Sequence, residues 1–190
     1  MLSNKTQTKL LSLAAAIAAA LIILVISSKY GIGISPDSAC YISIAENVNN
    51  GNGFAIYDLE PAVAWPPLYP TLLAVGKYLN LDYKVWARII GVILFSLLIY
   101  IVSKELISRL SGRFLKILSM AALLFSVPLI YVSKFAWSET LFILFVTMFL
   151  FKLEKSYHTH SAKEVLILAI FVALACLTRY VGVTLVIFYL

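Results

Sequence analysis

The chain has 190 residues, of which 62% are hydrophobic and 13% charged, with a formal net charge of +6 and a mean hydropathy of +0.97. Soluble domains carry about 25% charged and about 45–50% apolar residues, so an ordinary water-soluble domain is excluded and lipid becomes the solvent that fits. The basic residues are too dispersed for a nucleic-acid surface, and no nucleic-acid motif, Walker-type phosphate loop or Ser-His-Asp order is present.

The first apolar stretch, 10–28, has no charged residue and follows Lys5 and Lys9. It is longer than the roughly 7–15-residue apolar core of a signal peptide and runs into Lys29-Tyr30-Gly31, which predicts an uncleaved anchor. Further spans are predicted at 85–102, 117–133, 135–151 and 165–178. A partial one, 180–190, covers about half of the roughly 20 residues that a crossing requires. The expected fold is therefore an all-α, multi-span bundle, and the chain is expected to be the N-terminal part of a longer protein.

Charge orients this bundle. With the N-terminus in the cytoplasm, the inner segments hold Lys5, Lys9, Lys104, Arg109, Arg113, Lys116, Lys152, Lys155 and Lys163 against Glu105, Glu154 and Glu164. Nine cations less three acids leave +6. The outer segments hold Lys29, Lys77, Lys84, Arg88, Lys134 and Arg179 against Asp37, Glu46, Asp58, Glu60, Asp82 and Glu139, which balance. Basic residues in short loops near span ends mark the cytoplasmic side.

The first outer loop, 29–84, is as long as two spans. Ser35-Pro36 reads as an N-cap followed by proline at the first helical position. Tyr41, Ile44, Ala45 and Val48 then make one apolar face of a short helix suited to the membrane surface. Asn50-Gly51-Asn52-Gly53 ends it with residues that accept positive φ. In Trp65-Pro66-Pro67-Leu68-Tyr69-Pro70 the three prolines predict a rigid, non-helical approach, with Trp65 and Tyr69 at the interface.

Three ionisable groups fall at matching depth under the outer face: Asp37, Glu139 and Arg179. Such residues are costly in a membrane and mark function or pairing, which predicts a polar pocket there. Structural explanations stand beside this one. Asp37 and Glu139 sit where a helix start favours an acid, and Arg179 reads equally as snorkelling to the headgroups, as do Lys84 and Arg88. His158 and His160 read as a solvated loop rather than a metal site. Cys40 and Cys176 give no disulfide framework, and no internal repeat of the transporter kind is visible.

Pro36-Asp37-Ser38-Ala39-Cys40-Tyr41, Ala45-Glu46-Asn47-Val48, Gly51-Asn52-Gly53-Phe54 and Pro66-Pro67-Leu68-Tyr69-Pro70 occur in one order. This resembles the first outer loop of GT-C glycosyltransferases that use lipid-phosphate sugars, such as protein O-mannosyltransferases and aminoarabinose transferases. Ser138-Glu139-Thr140-Leu141-Phe142 is similar to their second acidic motif, and Leu177-Thr178-Arg179-Tyr180 to the segment closing their fifth span. The resemblance implies a polyprenyl-phosphate sugar donor and a lipid, glycan or protein acceptor at the extracytoplasmic face. It implies Asp37 as general base, Arg179 as a clamp on the donor phosphate, and Glu139 and Tyr41 as further substrate-binding residues. Many members carry a second acid where Ser38 stands, and some bind a divalent metal through acids and an outer histidine. No histidine lies on the outer side here, so no cofactor is predicted. The alternative is a non-enzymatic multi-span protein, such as a transporter subunit or scaffold, whose acids only cap helices.

Overall fold

The computed structural model describes residues 4–156 and 161–187. It is all-helical: no strand occurs among the described residues, only isolated bridges joining Gly33 to Phe135 and Ala55 to Pro61. The helices are α1 (Asn4–Ile26), α2 (Pro36–Asn49), α3 (Leu68–Tyr78), α4 (Tyr83–Arg109), α5 (Arg113–Leu124), α6 (Val127–Ser133), α7 (Glu139–Ser156), α8 (Ala162–Thr178) and α9 (Thr184–Ile187), with a 3-10 turn at Tyr180–Val183 between α8 and α9.

Two helical stretches, Thr6–Ile26 in α1 and Tyr83–Arg109, are long and apolar enough to cross a membrane. The third predicted span is not one straight helix. It is broken between α5 and α6 by a bend of 41°, and counts as a third crossing only if the pair is taken together. Pro128 explains the break, since it sits in the first turn of α6, where a proline is tolerated but cannot continue a helix from upstream. The fourth predicted stretch is helical only from Glu139 onward. At 18 and 17 residues, α7 and α8 reach about 27 and 26 Å against a hydrocarbon core of about 30 Å.

α1 and α4 pack closely along their length. Ala15, Ala19 and Ile23 meet Phe95 and Ile99, all buried, and small residues at such a seam let the backbones approach. Arg88 ties the end of this seam, donating from Nε to Ser27 Oγ at 2.7 Å and from Nη2 to the Leu24 carbonyl at 3.0 Å. It thus satisfies the last turn of α1, whose carbonyls lack intrahelical partners and attract cations. The sequence reading of Arg88 as a snorkelling residue gave no sign of these partners.

Gly91 brings α4 against α6. A Cβ added there would stand 2.9 Å from the Ser133 carbonyl oxygen, which is backbone and cannot swing aside. Gly91→Ala is therefore expected to cost about 1–3 kcal/mol through overpacking. A lowered Tm of the detergent-purified protein checks this, and an unchanged Tm would contradict the close approach.

In the segment between α1 and α4, the predicted helix is present as α2. Ser35 is its N-cap, accepting from the Ser38 amide at 3.2 Å, and Pro36 opens its first turn. Gly51 and Gly53 follow it with φ of 81° and 75°. The apolar face does not rest on lipid, however. Tyr41 and Ala45 are buried in one cluster with Tyr69, Leu73 and Ala74 of α3, and Asn49 Nδ2 donates to the Ala74 carbonyl at 2.9 Å. The proline-rich stretch is also partly helical. Pro67 is the N-cap of α3 and Pro70 lies in its first turn, where amide groups have no intrahelical acceptor to lose.

At one end of the bundle the charged termini of several helices meet. Arg109 of α4 bridges Glu105 and Glu154 of α7, Lys155 reaches Glu105 at 3.0 Å, and Lys152 pairs with Glu164 of α8 at 3.1 Å. The start of α1 lies at this same end, because Thr8 and Lys9 share a cavity with Lys104 and Lys155. α2, Arg88, Glu139 and Arg179 occupy the other end.

Candidate functional site

At that other end the ordering starts with the cap of α2. The Trp137 indole Nε1 donates to Ser35 Oγ at 2.6 Å, and the backbones of Gly33 and Lys134–Ala136 exchange hydrogen bonds of 2.8 and 3.0 Å. The entry to α7 is thereby tied to the entry to α2. Asp37, in the first turn of α2, is exposed. Tyr41 follows one helical turn later on the same face, with its ring edge-on to Tyr69 at 5.0 Å.

Tyr41 reaches across to the entry of α7, its hydroxyl 2.8 Å from Ser138 Oγ. Ser138 is fully buried and also lies 3.5 Å from Arg179 Nη1. Burial, above all, raises the Tyr41 phenol above its ordinary pKa. The Ser138 hydrogen bond and the Arg179 charge oppose the rise, and the charges of Glu139 and Asp37 add to it. Tyr41 is consequently a neutral hydroxyl at physiological pH.

Arg179 stands where α8 stops. Its backbone is extended, with φ −150° and ψ 135°, and its amide closes on the Ala175 carbonyl at 2.9 Å. The 3-10 turn after it folds tightly back on α8. A Cβ on Gly182 would come within 2.5 Å of the Cys176 amide nitrogen and 2.6 Å of the Ala175 carbonyl carbon, so only glycine fits this contact. The Arg179 side chain forms an ion pair with Glu139 through Nη1. Both partners keep partial exposure, 38% for Arg179 and 28% for Glu139. Among the described residues Arg179 Nε and Nη2 donate no hydrogen bond, so one edge of the guanidinium remains for a ligand.

These residues border an open cavity of about 310 Å³ lined by Asp37, Tyr41, Ala64, Trp65, Pro66, Arg179, Tyr180 and Val181. Of the four residues singled out in sequence, Asp37, Tyr41 and Arg179 line it, and Glu139 lies behind it, holding Arg179. Sequence reasoning quoted Ser138 and Tyr180 within motifs but gave neither a role: Ser138 links Tyr41 and Arg179, and the Tyr180 hydroxyl donates to the Val63 carbonyl at 2.7 Å and joins the two rims. It placed Trp65 at the membrane interface without assigning it to the pocket. The place of Ser138 directly before an acidic helix start, at the head of the second acidic motif, was the available sign of it.

Among the described residues no group of three His, Cys, Asp or Glu side chains is placed to hold a metal ion. His158 and His160 lie outside the described residues, and Cys40 and Cys176 are free thiols. No family model, curated protein or solved structure matches the chain.

Proposed function

We propose that this chain is part of a multi-span membrane glycosyltransferase that moves a sugar from a polyprenyl-phosphate carrier to a lipid, glycan or protein acceptor at the extracytoplasmic face. The observation that carries this reading is the shared cavity. A carboxylate, Asp37, and a half-buried guanidinium with an open edge, Arg179, face one space bordered by aromatic and proline side chains. Those are the two charges the reaction needs. The acceptor hydroxyl attacks the anomeric carbon and gives its proton to Asp37. The bond from that carbon to the phosphate oxygen breaks, and the lipid phosphate leaves as an anion that Arg179 holds. One displacement inverts the anomeric centre. Glu139 serves by positioning Arg179, and Tyr41 offers a neutral hydroxyl to the sugar.

The sidedness follows from charge. The end that carries Lys9, Lys104, Arg109, Lys116 and Lys155 is placed in the cytoplasm, so the N-terminus is inside and the cavity outside, with 29–84 as a long outer loop. The alternative, a non-enzymatic membrane protein, draws on the Glu139–Arg179 pair, which by itself satisfies much of the arginine.

A photoreactive polyprenyl-phosphate probe tests the reading on the full-length protein in membranes. Labelling is expected on peptides bearing Trp65 or Tyr180, suppressed by unlabelled polyprenyl-phosphate sugar. Labelling that ignores this competitor, or falls elsewhere, would count for the scaffold reading.

A further inference from the structure

The opposite end of the bundle holds a second and larger cavity, of about 680 Å³, between the start of α1, the end of α4 and the start of α5. Four lysines border it: Lys9, Lys104, Lys116 and Lys155. The one acid at its edge, Glu105, is engaged by Arg109 at 2.7 Å and by Lys155 at 3.0 Å. Lys9, Lys104 and Lys116 form no ion pair among the described residues. Counting the adjoining Arg109 and Glu154, five cations face two carboxylates, which leaves +3 around this cavity.

Ammonium groups gathered around one concave space repel one another, and an anion seated there relieves the repulsion. The surroundings say which kind of anion. Ile107 and Leu110 form apolar wall beneath the lysines, and α5 presents Phe114, Ile117 and Leu118 exposed beside Lys116. A free inorganic ion has no use for that apolar surface, whereas a molecule with a phosphate head and hydrocarbon tails uses both.

We propose that this basic cavity binds the headgroup of an anionic glycerophospholipid, with Lys9, Lys104 and Lys116 on the phosphodiester and the acyl chains along the exposed face of α5. Basic recesses between membrane helices on the cytoplasmic side suit such headgroups, and each lysine near the surface contributes about fivefold in affinity. The site is separate from the transferase reading, since the donor cavity lies at the other end. Either can fail without the other.

The test is lipid retention by the full-length protein, purified in detergent, stripped of lipid and incubated with phosphatidylglycerol, phosphatidylcholine or inorganic phosphate, then read by native mass spectrometry. Phosphatidylglycerol is expected to be retained selectively. Lys104→Gln combined with Lys116→Gln should weaken that retention by roughly 25-fold, while Lys134→Gln, at the other end, should leave it unchanged. Equal retention of phosphatidylcholine overturns the proposal, as does displacement of the lipid by inorganic phosphate alone. The selectivity of the unaltered protein decides these points even if the double variant folds poorly. Unchanged retention in a folded double variant would move the headgroup elsewhere.

Discussion

Asp37→Asn is expected to lower sugar transfer by the full-length protein by about 10²–10⁴-fold, the usual range for losing a positioned general base. The substitution keeps the shape of the side chain and removes only its capacity to take a proton. Asp37 is exposed and neither caps α2 nor pairs with a base, since the capping oxygen belongs to Ser35. Loss of its charge in the first turn of α2 costs about 0.3–1 kcal/mol of helix stabilisation, too little to unfold the segment. Protein level and Tm should therefore stay near those of the unaltered protein while turnover collapses. Near-normal transfer at normal protein level would remove Asp37 from the chemistry and leave it as a helix-start acid.

The second large effect is expected at Arg179. Lysine in its place keeps the positive charge but loses the planar fork, so it cannot hold Glu139 through one nitrogen and a phosphate through the other edge. Loss of a charge-assisted hydrogen bond worth about 1.5–3 kcal/mol corresponds to a drop of about 10- to 160-fold in kcat/KM for the lipid donor. The loss should fall on the donor, leaving the acceptor KM little changed. Glu139→Gln offers the companion measurement. If Glu139 acts by positioning Arg179, its effect and that of Arg179→Lys will not add in a double-mutant cycle. Additive effects would give Glu139 a role of its own, and an unaltered donor dependence in Arg179→Lys would dismiss the clamp.

How much of this was legible in the sequence depends on how local each signal is. The cap and start of α2 are written in adjacent residues, Ser35 and Pro36, and the structure has them there. That Asp37, Glu139 and Arg179 gather at one end of the helices followed from counting apolar stretches, because helices that run back and forth bring alternate ends together. Which side chains meet did not follow. The Arg179–Glu139 and Tyr41–Ser138 contacts join residues 40 and 97 positions apart, and such pairs are decided by how helices rotate against each other. The same blindness hid the partners of Arg88, Ser27 and Leu24, which lie 61 and 64 positions earlier. The bend before α6 is a different kind of miss. Ser126-Val127-Pro128 announces it locally, but the apolar stretch 117–133 was read straight through it.

The apolar face of α2 is instructive for the same reason. Its spacing was read correctly, but periodicity says only that a face is buried, not against what. Tyr69 and Leu73, completely covered in the structure, supply the partner in place of lipid. Their own helix begins inside the proline-rich stretch that composition alone marks as irregular.

The hydroxyl of Tyr41 and the cap of α2 each depend on residues about a hundred positions downstream, Ser138 and Trp137. A ribosome adds about 5–20 residues per second, so α2 and α3 are made several seconds before either partner exists. In that interval the two helices can join each other through Asn49 and Ala74, but the far wall of the cavity that Asp37 lines, with Arg179 and Tyr180, does not yet exist. The order of synthesis thus keeps the pocket incomplete until α8 and Arg179 have been made, and a nascent chain halted earlier would carry Asp37 without the guanidinium that shares its cavity.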